Sequence, residues 1–263
     1  MQTTASIRFQ NGASYERYMG KWSQLVGQRF LDWLAAPAQL QWLDVGCGNG
    51  AFTEMLINQC QPASVHGIDP SEPQLAYARQ RPALAHVVLE QADAMALPYP
   101  DDRFDAAVMP LVIFFVPKPE QGVAEMKRVV RPGGTVSAYA WDMVGGGFPY
   151  EILLSEIRAL GITIPEPSSP DASRMEVMQR LWSEAGLQDV QARAITVYRV
   201  FDDFEDFWST ALGAPSVGQT LAALSDADRT LVRERVFARL PADADGRITY
   251  SARANAIKGR VAP

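Results

Sequence analysis

Apolar positions along the chain alternate between two rhythms. Leu40, Trp42, Leu43 and Val45 form a short buried run, three glycines interrupt it, and Phe52-Thr53-Glu54-Met55-Leu56-Ile57 resumes at helical spacing. The stretch Leu43-Asp44-Val45-Gly46-Cys47-Gly48-Asn49-Gly50 thus predicts a strand and a glycine turn, with a helix to follow. The rhythm continues with a strand at Ser64 to Asp69, a helix from Pro70 to Arg79 with Ser71 as N-cap, and a strand at Ala85 to Glu90. Next come a strand at Phe104 to Leu111, a helix at Pro119 to Val130, a break at Arg131-Pro132-Gly133-Gly134 and a strand at Thr135 to Trp141. Strands and helices trading places at this pace predict an α/β fold, a parallel sheet with helices on both faces.

The flanks are less regular. Upstream of the first strand, residues 1–13 read as an arm, and Tyr15, Tyr18, Met19, Trp22, Leu25, Val26, Phe30 and Leu34 recur at helical spacing. That helix either covers a sheet edge or brings Tyr15, Tyr18, Lys21 and Trp22 over a ligand. After Met143 the pattern weakens, and Gly145-Gly146-Gly147 and the Pro165 to Pro170 stretch are loop chemistry. A helix at Met175 to Gly186, a strand at Val190 to Val200, a helical stretch in two pieces from Asp203 to Leu240 and a closing strand at Ile248 to Ile257 complete the reading.

Composition narrows the class. With 263 residues, 48% hydrophobic and 21% charged, the chain has the make-up of an ordinary globule with length for a sizeable core. No apolar run approaches the ~20 residues of a membrane span, and the polar start predicts no secretory signal, so a cytoplasmic protein without membrane insertion is expected. A net charge of −6 with scattered Lys and Arg argues against nucleic-acid partners, which require phosphate neutralisation. Cys47 and Cys60 are too few for a disulfide framework or a thiolate metal site, and His66 and His86 both fall in predicted strands, so no metal is expected.

The chemistry gathers at one rim of the sheet. Asp44, Asp69, Asp93, Leu111 and Asp142 all stand at the carboxyl ends of predicted parallel strands, where such sheets bind ligands. Asp69 lies about twenty residues beyond the first glycine, where a carboxylate meets a ribose diol, so a nucleoside is the expected ligand. Gly46, Gly48 and Ala51 also satisfy the dinucleotide fingerprint, which keeps an NAD-dependent oxidoreductase open; no Tyr-x-x-x-Lys pair accompanies it.

Four ordered motifs are more specific than the loop alone: the glycine turn, Gly67-Ile68-Asp69-Pro70-Ser71, Asp93-Ala94-Met95-Ala96-Leu97-Pro98-Tyr99 with Phe104-Asp105, and Arg131-Pro132-Gly133-Gly134. Over roughly residues 15–142 the chain resembles class I S-adenosylmethionine-dependent methyltransferases, above all the small-molecule branch that includes the ubiquinone and menaquinone biosynthesis enzymes. The resemblance implies a Rossmann-like, mostly parallel seven-stranded sheet in one domain, 1–263. Within it, cap helices at 1–35 would precede a cofactor-binding half at 36–142 and a substrate-side half at 143–263, with a helical insertion at about 201–246. It also implies S-adenosylmethionine as cofactor and a small-molecule methyl acceptor as partner. Gly46 and Gly48 would lie along methionine and ribose with Asp44 behind them, and Asp69 would take both ribose hydroxyls. Asp93 and the Ala94 amide would read adenine, Pro70, Leu75 and Leu111 would wall it, and Tyr18, Trp22, Cys47 and Gln74 complete the expected cofactor-facing set.

One departure from that branch points to the acceptor. Relatives often carry histidines after the fourth strand, whereas Pro110-Leu111-Val112-Ile113-Phe114-Phe115 is apolar throughout. An apolar or aromatic acceptor is therefore expected, in a pocket lined by some of Phe115, Trp141, Met143, Phe148, Tyr150, Phe204, Phe207 and Trp208, although for most of these the core of the added helices is the better expectation. Asp142, Tyr139 and Tyr150 are the candidate bases, and no catalytic residue is singled out. A non-catalytic binding module would show the same motifs; a nucleic-acid methyltransferase would show an Asn-Pro-Pro-Tyr-like motif where Met109-Pro110-Leu111-Val112 stands.

Overall fold

The computed structural model describes residues 19–213 and 215–263. Tyr15, Tyr18 and the arm expected at 1–13 lie outside the described residues. Helix α1, Gly20–Leu34, precedes β1, Gln41–Val45, and α2, Ala51–Cys60, follows the glycine turn. Then come β2 (Ser64–Asp69), α3 (Glu72–Ala78), β3 (Val88–Gln91), β4 (Phe104–Pro110), α4 (Pro119–Val129) and β5 (Val130–Trp141). The second half holds α5 (Glu151–Ala159), α6 (Met175–Glu184), β6 (Gln188–Phe201), α7 (Phe204–Leu212), α8 (Pro215–Ala222), α9 (Asp226–Arg239) and β7 (Ile248–Arg260).

The strands form one seven-stranded sheet in the order β3-β2-β1-β4-β5-β7-β6. The first five run parallel, and β7 lies antiparallel between β5 and β6. Strand β4 is buried at every position from Phe104 to Pro110, which is why, apart from Asp105 near its start, its sequence is apolar on both faces rather than alternating. The chain leaves β1 toward β2 on one side and reaches β4 on the other, so the strand order reverses there and opens a crevice beyond the carboxyl ends. Among the described residues no helix is long and apolar enough to cross a membrane.

Four local differences from the sequence expectation have physical causes. Pro82–Leu84 forms a 3-10 turn, so β3 starts at Val88 and His86 falls outside it. Arg131 to Gly134 do not break the chain: β5 begins at Val130, and the Pro-Gly-Gly segment bulges between the pairings Phe104↔Val130 and Ala106↔Thr135. Glu151–Ala159 is helical because Ile152, Leu153, Leu154 and Ile157 supply a buried stripe that the flanking glycines and prolines obscured. The insertion holds three helices rather than two, with α7 ending at Leu212, capped by Gly213, and α8 beginning at Pro215. The opening of α9 is as expected, with Ser225 Oγ accepting the Asp228 amide at 3.1 Å.

Candidate functional site

The glycine turn is pinned from below. The amides of Gly46 and Cys47 both donate to the Ile68 carbonyl, at 2.8 and 2.9 Å, which ties the end of β1 to the end of β2. Gly46 has φ +79°, and a Cβ there would stand 2.8 Å from Val112 Cγ1 and closer still to Cγ2. Gly48 has φ +54° and nothing within 4 Å of where a Cβ would be, so its backbone faces open space that a ligand can approach.

That space is a cleft of about 660 Å³ over the switch point. Gly46, Cys47, Gly48, Asp69, Pro70, Gln74 and Leu111, all expected from the sequence, line it. Asp69 is held firmly: the Gly48 amide donates to Oδ2 at 3.0 Å and the Ser71 amide to Oδ1 at 2.8 Å, leaving each oxygen a further lone pair. Burial raises the Asp69 carboxyl above its ordinary value, and the two amide bonds oppose that shift. Gln74 is 6% exposed, and its Oε1 is buried with no hydrogen-bond partner among the described residues, an acceptor in the cleft wall.

Other expected residues sit elsewhere. Trp22 is wholly buried, its ring 6.4 Å from Phe201 and 6.3 Å from Tyr250, because it shares the sheet-facing stripe of α1 with Val26 and Phe30. The neighbouring stripe supplies Gly20, Ser23 and Gln24 to the cleft instead. Asp93 is exposed; its Oδ1 turns back to the Met95 amide at 2.8 Å as the turn closes on Ala96, so neither it nor Ala94 reaches the cleft wall. Leu75 is fully buried behind Gln74. Asn49, Val112 and Tyr139 also line the cleft; the apolar run after β4 was the available signal for Val112.

Asp44 lies beneath the turn with no exposed surface, accepting from Thr53 Oγ1 at 2.7 Å, while its Oδ1 has no hydrogen-bond partner among the described residues. Burial, and to a lesser degree the nearby Asp69 charge, lifts its carboxyl from 3.8 to about 7 against the Thr53 bond. The native state therefore holds a proton that the unfolded chain releases. The associated stability is full below about pH 4 and is lost as pH rises through about 7. At about 1.4 kcal/mol per unit this amounts to as much as roughly 4 kcal/mol. Asp44→Asn, which still accepts from Thr53, is expected to flatten the pH dependence of thermal unfolding across that window; a variant as pH-dependent as the wild type would refute the assignment.

A second cavity, of about 500 Å³, opens beside the cleft and shares Leu111, Phe115, Glu166 and Pro167 with it. Phe115, Trp141, Met143 and Phe148 line it as expected, joined by Met19, Phe114 and Leu154. Tyr150, Phe204, Phe207 and Trp208 take the core alternative and pack on one another: Phe204 stacks on Trp208 at 6.1 Å, and Phe207 lies 6.4 Å from Tyr150. The helical insertion uses these large rings to close its own core.

Residues 43–138 match the methyltransferase-domain family. A demethylmenaquinone methyltransferase of Bacillus mycoides is 30% identical over 171 residues, spanning 59% of this chain and 72% of the relative. The chain belongs to the S-adenosylmethionine-dependent methyltransferases. This methyltransferase-family chain is also 38% identical over 96 residues to the chloroplastic 2-methyl-6-phytyl-1,4-hydroquinone methyltransferase 2 of Oryza sativa, covering 36% of its own length and 28% of the rice protein. It spans less than two thirds of the length of the leading curated relatives it matches. The same fold occurs in phosphoethanolamine N-methyltransferase 2 of Haemonchus contortus, solved with S-adenosyl-L-methionine, at a TM-score of 0.60 and 18% identity, covering 95% of this chain and 56% of that one. Family membership sets the oxidoreductase reading aside. The cleft of this methyltransferase-family chain suits the family cofactor on its own terms, with open backbone at Gly48, spare lone pairs on Asp69 and an unsatisfied acceptor at Gln74.

Proposed function

We propose that this protein transfers a methyl group from S-adenosylmethionine to a small apolar or aromatic molecule. The observation that carries the reading is the pair of cavities with a common wall at Leu111 and Phe115, one lined by the glycine turn and Asp69, the other by aromatic and aliphatic side chains with Glu151, Arg158, Glu166 and Asp171 among them. Gly46 and Gly48 would carry the methionine and ribose portions, Asp69 the ribose hydroxyls, and Gln74 a donor on the nucleoside. When bound, the cofactor supplies a methyl on a sulfonium, ready for in-line displacement.

The chain's own contribution is alignment. Holding two reactants in attack geometry is worth effective molarities of roughly 10⁵–10⁸ M. The two curated relatives described above are named for hydroquinone and menaquinone substrates, which supports an aromatic ring bearing hydroxyl groups as the acceptor. Incubation with S-adenosylmethionine and a panel of phenols and hydroquinones, read by S-adenosylhomocysteine release, tests the proposal. Binding of the cofactor without any release across the panel would leave a binding module instead of an enzyme.

A further inference from the structure

The proton on a hydroxylated acceptor must go somewhere, and the candidate bases drawn from the sequence fare badly. Asp142 is ion-paired with Arg253 at 2.6 Å and accepts the Gly145 amide at 2.9 Å. Tyr150 has no exposed surface, lines neither cavity, and is pushed up to about 12 by burial. Tyr139 lines the cleft but not the acceptor cavity. Among the carboxylates lining either cavity, Asp69 holds two amides, Glu151 pairs with Arg158, and Asp171 pairs with Arg174.

Glu166 is different. It lines both cavities, and it makes no ion pair or hydrogen bond with the described residues. Its companions at the seam, Leu111, Phe115 and Pro167, have no side-chain group that accepts a proton. The segment carrying it is fixed on both sides: Pro165 and Pro167 restrict its backbone, and Ser169 donates its amide to Phe114 O and its hydroxyl to Val116 O, both at 2.9 Å. The strap is thereby fastened to the turn that carries Phe115. Glu166 is also exposed, so a proton received there can pass to bulk water.

Resting on the methyl-transfer reading above, we propose that Glu166 is the general base that takes the proton from a phenolic acceptor. As the acceptor oxygen forms its bond to the methyl carbon, the carbon–sulfur bond breaks and its electron pair stays on sulfur. The hydroxyl proton moves to a Glu166 carboxylate oxygen. The products are the methylated acceptor, S-adenosylhomocysteine and a protonated glutamic acid, which returns its proton to solvent.

The test uses Glu166→Gln in the full chain with two phenols at one mildly alkaline pH: 4-methoxyphenol, which stays protonated, and 4-nitrophenol, which is ionised. The variant is expected to lose about a hundredfold in kcat with 4-methoxyphenol, within the range for general-base catalysis, and to stay within about threefold with 4-nitrophenol. Calorimetry with S-adenosylmethionine reads separately what the same change does to the cofactor cleft, which Glu166 also lines. A readout without turnover is the spectrum of 4-nitrophenol bound beside S-adenosylhomocysteine: the wild type should hold more of the neutral phenol than the variant, because a neighbouring carboxylate disfavours phenolate. Equal losses with both phenols, no loss with either, or identical bound spectra would overturn the base assignment alone. A wild type that binds cofactor but methylates neither phenol removes the phenolic acceptor and the assignment with it, and one that ignores the cofactor defeats the methyl-transfer reading itself.

Discussion

Asp69→Ala should weaken S-adenosylmethionine binding from about tenfold to more than a hundredfold. Hydrogen bonds to a charged group are worth about 1.5–3 kcal/mol each, and every 1.4 kcal/mol is a factor of ten in dissociation constant. Two effects add in the same direction. The ribose hydroxyls lose their acceptor, and the Gly48 and Ser71 amides, now bonded to Oδ2 and Oδ1, lose the partner that orients the glycine turn toward the cleft. Asp69→Asn should fall between wild type and alanine, since one oxygen remains while the new amide faces a backbone donor. Calorimetry on the three proteins checks this, and equal dissociation constants for wild type and alanine would remove Asp69 from the site.

The second large effect is expected at Gly46, and it concerns stability. Its φ of +79° lies where an L-residue is strained by roughly 1–2 kcal/mol, and a Cβ would press into the stiff, branched side chain of Val112. Overpacking of that kind costs about 1–3 kcal/mol more. Gly46→Ala should therefore lower the melting temperature by on the order of 10 °C in a chain of this size. Adding Val112→Ala to that variant should restore the steric part and leave the backbone part, so the double variant should melt between the two. An alanine variant as stable as wild type would mean that the turn adjusts freely, and the pinning of Gly46 and Cys47 to Ile68 could not matter as argued.

Much of the fold could be read from the sequence because the cofactor half obeys simple rules. Strands β1, β2 and β4 are short stretches with apolar centres, and the turns that follow β1 and β2 are marked by glycine or proline. Asp69 was recognisable from spacing alone, since strand, turn and helix lengths fix how far along the chain the second strand ends. The misses arise where periodicity is ambiguous or absent. Trp22 and Ser23 are neighbours on α1, and helical spacing cannot say which of two adjacent stripes meets the sheet until the packing angle is known. The rings of Phe204, Phe207 and Trp208 could serve a ligand or a core, with the core the better expectation, and the core took them. Glu166 gave no periodic signal: it belongs to a proline-rich loop and reaches both cavities only because Ser169 is bonded to Phe114 and Val116.

The position of β7 has a consequence for how the molecule comes into being. Residues 248–260 lie between β5 and β6 instead of at the sheet's margin, pairing Thr135 with Arg260 on one side and Phe201 with Ile248 on the other. On the ribosome, β5 emerges more than a hundred residues before the strand that covers its flank, and until then its free backbone groups are exposed to any passing extended segment. The nascent chain must keep an aromatic-rich interior waiting for its final inner stave, a situation in which chaperone protection during synthesis would raise the yield of folded protein.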